Sequence, residues 1–397
     1  MVNYEKYRFS RGYLIANRQI NTEDIQNWSE EKLGEYYFYF HPMTKWAVHL
    51  ESNGTWCVII GKALDIINET SKLEEISEHL KNEFNKSTEA FYDYVEELVG
   101  RYVIVISDNN NVYALSDATG MKTIFYHKSE KVLSSHARLL SLVTEEDRLP
   151  NFKNKWLSDY SAYYLPGNIT PYNNILQLVP NHIINVENSE IKRYFPRENL
   201  PDLTLDQILD QIVDKVNKQA KLLESENILL SLSGGADSRS SLALLKNIKL
   251  FTYYLTDSNN KDYKGNKILN TDQKIASDIV NNLNLNHRFI PIDQAIFATK
   301  DFEQFKSLLM QNTYLSHNYK LAKLYYDFFS GQDYLHIRSN VHVVAKAFYR
   351  NSYKIKEKEM TFDNQIVCYS PKALNDNEIK EIFEEYNNTF NPRLDFN

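Results

Sequence analysis

The segment Ser233-Gly-Gly-Ala-Asp-Ser238 brings two hydroxyls, two glycines and a carboxylate together within six residues. It ends a strand-like run, Ile228 to Ser233, and precedes a helix predicted over Arg239 to Lys246. A buried strand that stops at two glycines and restarts as a helix leaves backbone N–H groups at the positive end of the helix dipole, where anions bind. The glycines let ligand oxygens approach the main chain and permit a positive φ. The segment therefore predicts a site for the phosphates of a nucleotide.

The side chains of this turn suit a phosphate together with a metal ion. Ser233 and Ser238 add hydroxyl donors. A carboxylate would be redundant beside a phosphate, so Asp237 makes most sense as a ligand of Mg²⁺. Arg239, in the first turn of the helix, either contacts phosphate or substrate or faces solvent. The simpler alternative is that the glycine pair forms an ordinary turn and that Asp237 is only a favourable charge at the start of the helix.

The turn does not match the two better-known phosphate loops, Gly-x-x-x-x-Gly-Lys-Ser/Thr and Gly-x-Gly-x-x-Gly. It resembles the pyrophosphate loop of the N-type ATP pyrophosphatases, and within them the asparagine synthetase group, which carries Leu-Ser-Gly-Gly-x-Asp-Ser. The resemblance implies ATP and Mg²⁺ as cofactors and a catalytic role for Asp237 through the metal. The predicted nucleotide-binding residues are Leu232, Ser233, Gly234, Gly235, Asp237, Ser238 and Arg239.

The segments around the turn predict a parallel sheet. Apolar residues from Leu205 to Ala220 recur at intervals of three and four, which predicts an amphipathic helix that packs ahead of the Ile228 strand. Strand-like runs at Leu250 to Leu255 and His287 to Ile292 alternate with helices, which indicates right-handed crossovers and ligands at the carboxyl ends of the strands. The adenine would lie between Leu232 and the Tyr253/Tyr254 region, although either tyrosine suits the core equally well. The resemblance implies an adenine-nucleotide α-hydrolase-like (PP-loop) domain.

The first part of the chain has a different pattern. Residues 1 to about 145 alternate strand-like runs with turns, and helical spacing occurs at Leu73 to Phe84 and Thr88 to Leu98. This predicts layered antiparallel sheets with helical cover, so that the whole chain is α+β followed by α/β. Gly100 to Asp108, Leu115 to Tyr126 and Ser134 to Leu140 resemble, in that order, the glutaminase domain of asparagine synthetases. That resemblance implies an Ntn-type fold.

This front domain departs from the family at the residues that do its chemistry. An active glutaminase of this kind exposes a cysteine as its N-terminal residue after Met removal, whereas position two here is Val2. Neither Cys57 nor Cys368 can supply an N-terminal amine. Asn53-Gly54, the nearest counterpart of the glutamine-holding Asn-Gly-Glu segment, is more typical of a hairpin. Glutamine hydrolysis is predicted to be lost, and the domain is interpreted as a scaffold or docking surface.

The last third of the chain offers weaker candidates. The family's second acidic loop, Ser-Gly-x-Gly-x-Asp-Glu, has only a partial counterpart in Ser330 to Asp333, so Asp333 is either a second Mg²⁺ ligand or a turn residue. Lys346 and Arg350 lie four apart on a predicted helix, hence on one face. That cationic face either acts in catalysis by holding pyrophosphate or the substrate carboxylate, or is simply solvated.

Composition bounds these interpretations. The 397 residues suggest two domains, placed at 1–198 and 199–397. A net charge of −7 and the lack of a dense basic cluster argue against nucleic acid as a partner. No run is apolar enough for a signal peptide or a membrane span, and two cysteines make no disulfide framework, so a cytoplasmic protein is expected. A homodimer is also considered.

The function that these features predict is ATP-dependent amide-bond formation. A substrate carboxylate, on a small molecule or a peptide, would be adenylated with release of pyrophosphate, and an amine would then displace AMP. Relatives with this architecture and an inactive front domain include β-lactam synthetases and lasso-peptide cyclases, in which the amine comes from the substrate. Free ammonia or a capsule-type acceptor is equally open as the amine, and a natural-product or peptide-modifying ligase is the preferred variant. The alternative is a catalytically degenerate relative that serves as a nucleotide-binding or regulatory module.

Overall fold

The computed structural model describes residues 3–149, 159–160, 164–198, 200–245, 248–256, 265–292, 294–313, 319–339, 351–355 and 360–390. The chain divides into two compact units. The sandwich unit comprises Asn3–Asp202, Leu308–Ser316 and Lys356–Asn397, and the parallel-sheet unit comprises Met1–Val2, Leu203–Ser307 and His317–Ile355. The predicted boundary near residue 199 is thus close to the first crossing between the units, but the described part of the C-terminal segment groups with the sandwich unit.

Twelve strands build the sandwich unit. They are β1 (Tyr13–Ala16), β2 (Ser29–Leu33), β3 (Tyr36–Phe40), β4 (Trp46–Leu50), β5 (Trp56–Asp65), β6 (Leu98–Ser107), β7 (Val112–Ser116), β8 (Phe125–His127), β9 (Val132–Ser134), β10 (Ile175–Gln177), β11 (His182–Asn185) and β12 (Ile191–Arg193). They form two antiparallel six-stranded sheets, with the orders β10-β8-β9-β1-β3-β2 and β12-β11-β7-β6-β5-β4.

The helices follow the apolar spacing of the sequence closely, and most ends of those predicted lie within three residues of the predicted bounds. They are α1 (Leu73–Lys86), α2 (Thr88–Glu96), α3 (Ala137–Val143), α4 (Leu205–Leu222), α5 (Ala236–Leu244), α6 (Gly265–Leu283), α7 (Lys300–Asn312), α8 (Tyr319–Phe329), α9 (Phe362–Tyr369) and α10 (Asn377–Phe390). None of the helices described here combines the length and apolar character that crossing a membrane requires.

Alternation along the strands produces the layers of the sandwich unit. On β5, Val58 and Ile60 pack between the two sheets, whereas Cys57 and Ile59 face the layer that contains α1 and α2. Residues of α3 pack with the outer face of β1, at Leu14 and Ala16. The period of two in side-chain direction therefore yields a core between the sheets and an apolar layer outside each of them. The predicted layered antiparallel architecture is confirmed.

The end of α10 is part of the core between the two sheets. Phe390 is 1% exposed and packs in that core. Its carbonyl oxygen lies 2.8 Å from His182 Nε2 and accepts a hydrogen bond of 2.7 Å from Arg193 Nη2. These contacts explain why the C-terminal segment belongs to the sandwich unit.

The parallel-sheet unit holds four strands, β13 (Ile228–Ser231), β14 (Leu250–Thr256), β15 (His287–Pro291) and β16 (Leu335–Ile337), in the order β15-β14-β13-β16. All three neighbouring pairs are parallel. The parallel pairing of β13, β14 and β15 was predicted, whereas β16 was not predicted as a strand. Side chains of α5 and α6 pack on one face of the sheet and those of α8 on the other. The chain moves outward from β13 to β15 and then returns to the far side of β13, so the strand order reverses between β13 and β16.

Helix α4 differs from the prediction. Its amphipathic spacing is present and a capping box between Thr204 and Gln207 starts the helix, but none of its residues is buried. Only the segment just after the helix reaches the interior, where Leu223 is 8% exposed. The apolar stripe that was expected to pack within the chain stands open along most of the helix.

Candidate functional site

The predicted phosphate-binding turn lies at the carboxyl edge of the parallel sheet, between the end of β13 and the start of α5. Ser238 Oγ accepts a hydrogen bond from the Ser233 amide at 3.0 Å, and Ser233 Oγ accepts one from the Gly235 amide at 3.2 Å. The two hydroxyl oxygens are 3.0 Å apart. The serines therefore organise the turn itself, with Ser238 nearly buried. Gly235 is the N-cap of α5 and provides no side-chain cap for the amides of the first turn.

The glycines are required for close approach rather than for a left-handed backbone. Gly235 has φ −68°, and Gly234 does not have a positive φ either, so the turn does not use the positive φ that glycine permits. A Cβ on Gly234 would lie 2.8 Å from Asp272 Oδ1, 2.9 Å from the Asp272 carbonyl oxygen and 3.0 Å from Ile275 Cβ. Helix α6 thus packs directly against the turn, and only glycine fits at that position.

Leu232 is a core residue rather than a ligand-contacting one. Its side chain is fully buried and packs with Leu230 and Leu242. Its amide donates a hydrogen bond of 2.9 Å to the Tyr253 carbonyl oxygen, which extends the β13–β14 pairing. The prediction that Leu232 binds nucleotide is corrected, because neither its side chain nor its N–H points to a ligand.

The two tyrosines that were expected to line an adenine site are also buried in the core. Tyr253 is fully buried, and its Oη lies 2.8 Å from His336 Nε2. Burial raises the pKa of Tyr253, and a hydrogen bond with Tyr325 adds to that effect. Burial likewise raises the pKa of Tyr254, followed by its hydrogen bond to Asp272. Tyr254 thereby holds the Asp272 carboxylate beside the turn.

Asp237 is the second residue of α5 and is half-buried. Within the described residues, no three His, Cys, Asp or Glu side chains lie together as a protein-only metal site would need. Mg²⁺ is commonly held by one or two carboxylates together with substrate phosphates and waters, so the donor set at the turn is compatible with that ion. Asp237 is the candidate ligand, and Asp272 is a second carboxylate at the same turn that the sequence pattern had suggested only as part of a structural helix.

Asp333 lies at the amino ends of the parallel strands, whereas the turn lies at their carboxyl ends. Leu335 pairs with Ile228 at the start of the strands, which puts Asp333 level with residue 226, ahead of β13. At a rise of ~3.3 Å per residue, it is about 20 Å from the turn. Its prediction as a metal ligand beside Asp237 is therefore wrong. The parallel register of β13 and β16 determines this separation, because Asp333 precedes β16 whereas the turn follows β13.

Two residues that come directly after β16, Arg338 and Ser339, lie at the same end of the sheet as the turn. Ser339 Oγ is 2.7 Å from Ser241 Oγ on α5. The guanidinium of Arg338 is 5.9 Å from the centre of the Tyr325 ring, and Arg338 is exposed. Arg338 was not singled out from the sequence, since its only signal there was its place after a short apolar run. Lys346 and Arg350 lie outside the described residues, and Arg239 is exposed with Nε 3.4 Å from the Gly235 carbonyl oxygen.

The cysteines of the sandwich unit are poorly suited to nucleophilic chemistry. Cys57 is fully buried in β5, and burial raises the pKa of its thiol despite the opposing charge of Lys81. Cys368 is partly buried on α9, and burial raises its pKa as well. Asn53-Gly54 forms the hairpin between β4 and β5, with Asn53 Oδ1 accepting from the Thr55 amide at 2.9 Å. Val2 lies outside the described residues.

No protein-family model matches the chain. No curated protein matches it. Among solved structures, it is similar to a glutamine phosphoribosylpyrophosphate amidotransferase from B. subtilis complexed with ADP and GMP, at 13% identity and a TM-score of 0.29, over 62% of this chain and 61% of that chain. It is also similar to a structure described as the allosteric regulatory enzyme of purine biosynthesis, at 11% identity and a TM-score of 0.30, over 93% of this chain and 92% of that one. The alignment thus spans about three fifths of the first of these chains, and likeness at such TM-scores assigns neither a family nor an activity.

Proposed function

We propose that the parallel-sheet unit is an ATP-dependent ligase that adenylates a substrate carboxylate, releases pyrophosphate and passes the acyl group to an amine. One observation carries the proposal. The segment Ser233 to Ser238 forms a compact turn between a buried strand and a helix, at the carboxyl edge of a parallel sheet. The strand order reverses beside that turn. Ligands of open parallel sheets bind in the crevice at such a point.

The charges at the turn favour a phosphate that brings a divalent cation with it. Amides in the first turn of α5 attract an anion. Asp237 and Asp272, however, are carboxylates at the same place and would repel a bare phosphate. A nucleotide carrying Mg²⁺ would satisfy both groups, since Asp237 and Asp272 would hold the ion and the ion would offset the charge of the phosphates. This combination favours ATP over a metal-free anion.

The chemistry follows from what such a site stabilises. A carboxylate is a poor electrophile because its leaving group would be oxide. When its oxygen attacks the α-phosphorus of ATP, the bond between the α-phosphorus and the oxygen that links it to the β-phosphorus breaks, and pyrophosphate leaves. The amides in the first turn of α5 would lower the barrier by binding the charge that grows on the departing pyrophosphate, and a bound Mg²⁺ would neutralise part of it. An amine then attacks the acyl carbon, AMP leaves with the C–O bond electrons, and the amine proton is lost.

The position of Arg338 fits a role in this site. It follows β16 at the strand-order reversal, across from the turn. A guanidinium there can pair with a phosphate or with the carboxylate of the second substrate, since its planar fork matches either group. Within the proposal, Arg338 takes the place that the sequence had suggested for Lys346 and Arg350.

A second candidate function is a nucleotide-binding or regulatory module without catalysis. The observation that favours it is the absence of a second metal-binding loop at the turn within the described residues, since Asp333 lies at the other edge. This alternative shares the nucleotide site and differs only in the chemistry.

The experiment is exchange of labelled pyrophosphate into ATP, with pooled amino acids, sugar acids and small peptides as carboxylate donors. The wild-type chain should catalyse exchange that depends on one pool and on Mg²⁺. Asp237→Ala should reduce it by about 100-fold or more, the range for loss of a group that stabilises charge in the transition state.

The matched control is Asp333→Ala, which removes a carboxylate of the same kind at the far edge of the sheet and should leave exchange unchanged. ATP binding without exchange for any acid would favour the regulatory module. Failure to bind ATP with Mg²⁺ at all would contradict both functions.

A further inference from the structure

The side chain of Lys122 reaches from the loop after β7 to the turn that precedes β1. Its Nζ donates a hydrogen bond of 2.6 Å to the Arg11 carbonyl oxygen and lies 5.8 Å from the centre of the Tyr13 ring. Within the described residues, no carboxylate forms an ion pair with this half-buried side chain. An ammonium carries three N–H donors. Protein groups in the described part of the chain thus accept one of the three.

The turn that receives Nζ has a fixed conformation. Phe9 and Arg11 have φ of 50° and 56°, a left-handed backbone that is uncommon for such residues. The Gly12 amide donates a hydrogen bond of 2.9 Å to the Phe9 carbonyl oxygen, and the Gly12 carbonyl oxygen accepts one of 3.1 Å from the His41 amide. Such a conformation persists only where the surrounding structure holds it. The Arg11 carbonyl therefore keeps Nζ at a defined position.

The carboxylate whose charge acts on Lys122 is held by its own loop. Asp117 is buried, and its oxygens accept hydrogen bonds from the Thr119 amide at 3.1 Å, the Thr119 hydroxyl at 2.6 Å, the Met121 amide at 3.2 Å and the Lys122 amide at 2.8 Å. Four hydrogen bonds from one loop fix the orientation of this carboxylate. It therefore organises the loop and leaves the ammonium without an acid partner.

The surroundings of Nζ disfavour a cation. Burial, followed by the charge of Arg11, lowers the pKa of Lys122 to about 8, and Asp117 opposes this with a smaller effect. Burial, followed by the charge of Lys122, lowers the pKa of His136 to about 3. Burial is also the main cause of the lowered pKa of His41, and the charge of Lys122 adds to it. The basic groups at this place thus repel one another, and Arg11 outweighs Asp117.

We propose that Lys122 is a site of carbamate formation with carbon dioxide, at which the lysine ammonium is replaced by a carbamate anion that pairs with Arg11. The unprotonated amine attacks the carbon of CO₂ and forms an N–C bond. One C–O π bond becomes a lone pair of the new carboxylate, and the nitrogen loses one proton to water. The step requires no oxidant, reductant or further reactant.

Hydrogen bonding and charge at the site favour CO₂ over other electrophiles. A carbamate keeps one N–H on Nζ, which is the number that the Arg11 carbonyl oxygen accepts. Its charge is opposite to that of Arg11, whose exposed side chain has no acid partner among the described residues. An amide would also keep one N–H but would be neutral, and a protonated imine would restore the cation that the surroundings disfavour.

The amine is also available to react. At pH 7 about one Lys122 side chain in ten is unprotonated, against fewer than about one in a thousand for an ordinary lysine. The inference concerns the sandwich unit alone, and it does not depend on the proposed ligase activity of the parallel-sheet unit.

The test uses the full chain, equilibrated at about pH 8 with isotopically labelled bicarbonate and dissolved CO₂. Carbamates are trapped as esters with a trialkyloxonium salt, and peptide mass spectrometry measures the labelled fraction of each lysine. Lys122 should carry at least about tenfold more label than an ordinary lysine, because of its larger share of unprotonated amine. Lys128 is the comparison within the same chain, since it is exposed and its Nζ lies 3.9 Å from Glu385 Oε1.

Variants of Arg11 test the charge pairing. Arg11→Gln should lower the labelled fraction of Lys122 about two- to fivefold, the effect expected for a partly exposed ion pair. Arg11→Lys keeps the positive charge and should retain most of the label. Arg18→Gln is the matched control, since Arg18 follows β1 and pairs with Glu130 at 3.0 Å, and it should leave the label unchanged.

Circular dichroism of each variant verifies its fold. Label on Lys122 no greater than that on Lys128 would overturn the proposal. A folded Arg11→Gln variant with the labelled fraction of the wild type would do the same, as would loss of the label in a folded Arg11→Lys variant.

Discussion

Gly234 is the residue at which the turn tolerates least change. The carboxylate and carbonyl oxygens of Asp272 and the Ile275 side chain would all lie within 3.0 Å of a Cβ at this position. Two of these three neighbours belong to helix backbone or to its Cβ, so they cannot swing aside as the end of a flexible side chain could. At Gly235 the nearest atom to a Cβ is Ser233 Oγ at 3.2 Å, a hydroxyl that can rotate away.

The contrast between these glycines predicts different costs for the same substitution. Gly234→Ala should destabilise the parallel-sheet unit by about 1–3 kcal/mol, the usual cost of forcing an extra methyl into a packed site. Gly235→Ala should cost less, since its φ of −68° suits alanine and only a weaker N-cap results. Urea unfolding followed by circular dichroism compares the two. Equal effects would contradict the close approach of α6.

At the scale of elements, the site depends on which strand ends meet. The loop after β16 reaches α5 through the Ser241–Ser339 hydroxyl contact, and this brings Arg338 to the same edge as the turn. The guanidinium of Arg338 lies over the ring of Tyr325 on α8, 5.9 Å from the ring centre, within the range of a cation–π contact. Three elements far apart in the sequence therefore converge at the carboxyl edge.

This convergence predicts a specific loss of nucleotide affinity. Arg338→Ala should weaken binding of ATP with Mg²⁺ roughly tenfold, because a hydrogen bond to a charged group contributes about 1.5–3 kcal/mol. Arg288→Ala is the matched control. Arg288 lies on β15, its guanidinium is 5.0 Å from the centre of the Phe328 ring, and it does not belong to the turn. Isothermal titration calorimetry measures both. An Arg338→Ala affinity equal to that of Arg288→Ala would remove Arg338 from the site.

At the scale of the whole molecule, the sandwich unit is completed by residues near the C-terminus. The side chain of Phe390 fills the space between the two sheets, and its carbonyl oxygen receives Arg193 Nη2 from β12. Helix α10 is thus tied to strands that precede it by about two hundred residues, as the separation of 197 residues for this hydrogen bond shows.

The buried position of Phe390 predicts that its substitution strongly lowers the stability of the sandwich unit. Phe390→Ala should lower the free energy of unfolding by about 3–5 kcal/mol, the range for emptying a buried phenylalanine site. Phe362→Ala on α9, whose side chain is only partly buried, should cost less. Chemical denaturation monitored by tryptophan fluorescence reports on the sandwich unit through Trp56, which lies in the same core. Similar losses for both variants would contradict the central position of Phe390.

The sequence by itself determined the features that depend on neighbours in the chain. The strand, glycine pair and helix around Ser233 to Ser238 were predictable because strand and helix periods and turn chemistry are local properties. The same holds for the hairpin at Asn53-Gly54. Their structural counterparts lie within a residue or a few of the predicted bounds.

The tertiary structure alone decided which distant residues meet. Asp272 covers Gly234 and Arg338 follows β16 at the carboxyl ends of the strands, whereas Asp333, five residues before Arg338, lies at their amino ends. Strand register and the reversal of strand order determine these positions. Both arise from packing between segments that are far apart in the sequence, and the spacing of those segments does not predict how they pack. The open stripe of α4 has the same origin, because an amphipathic pattern specifies that a face should be buried but not what covers it.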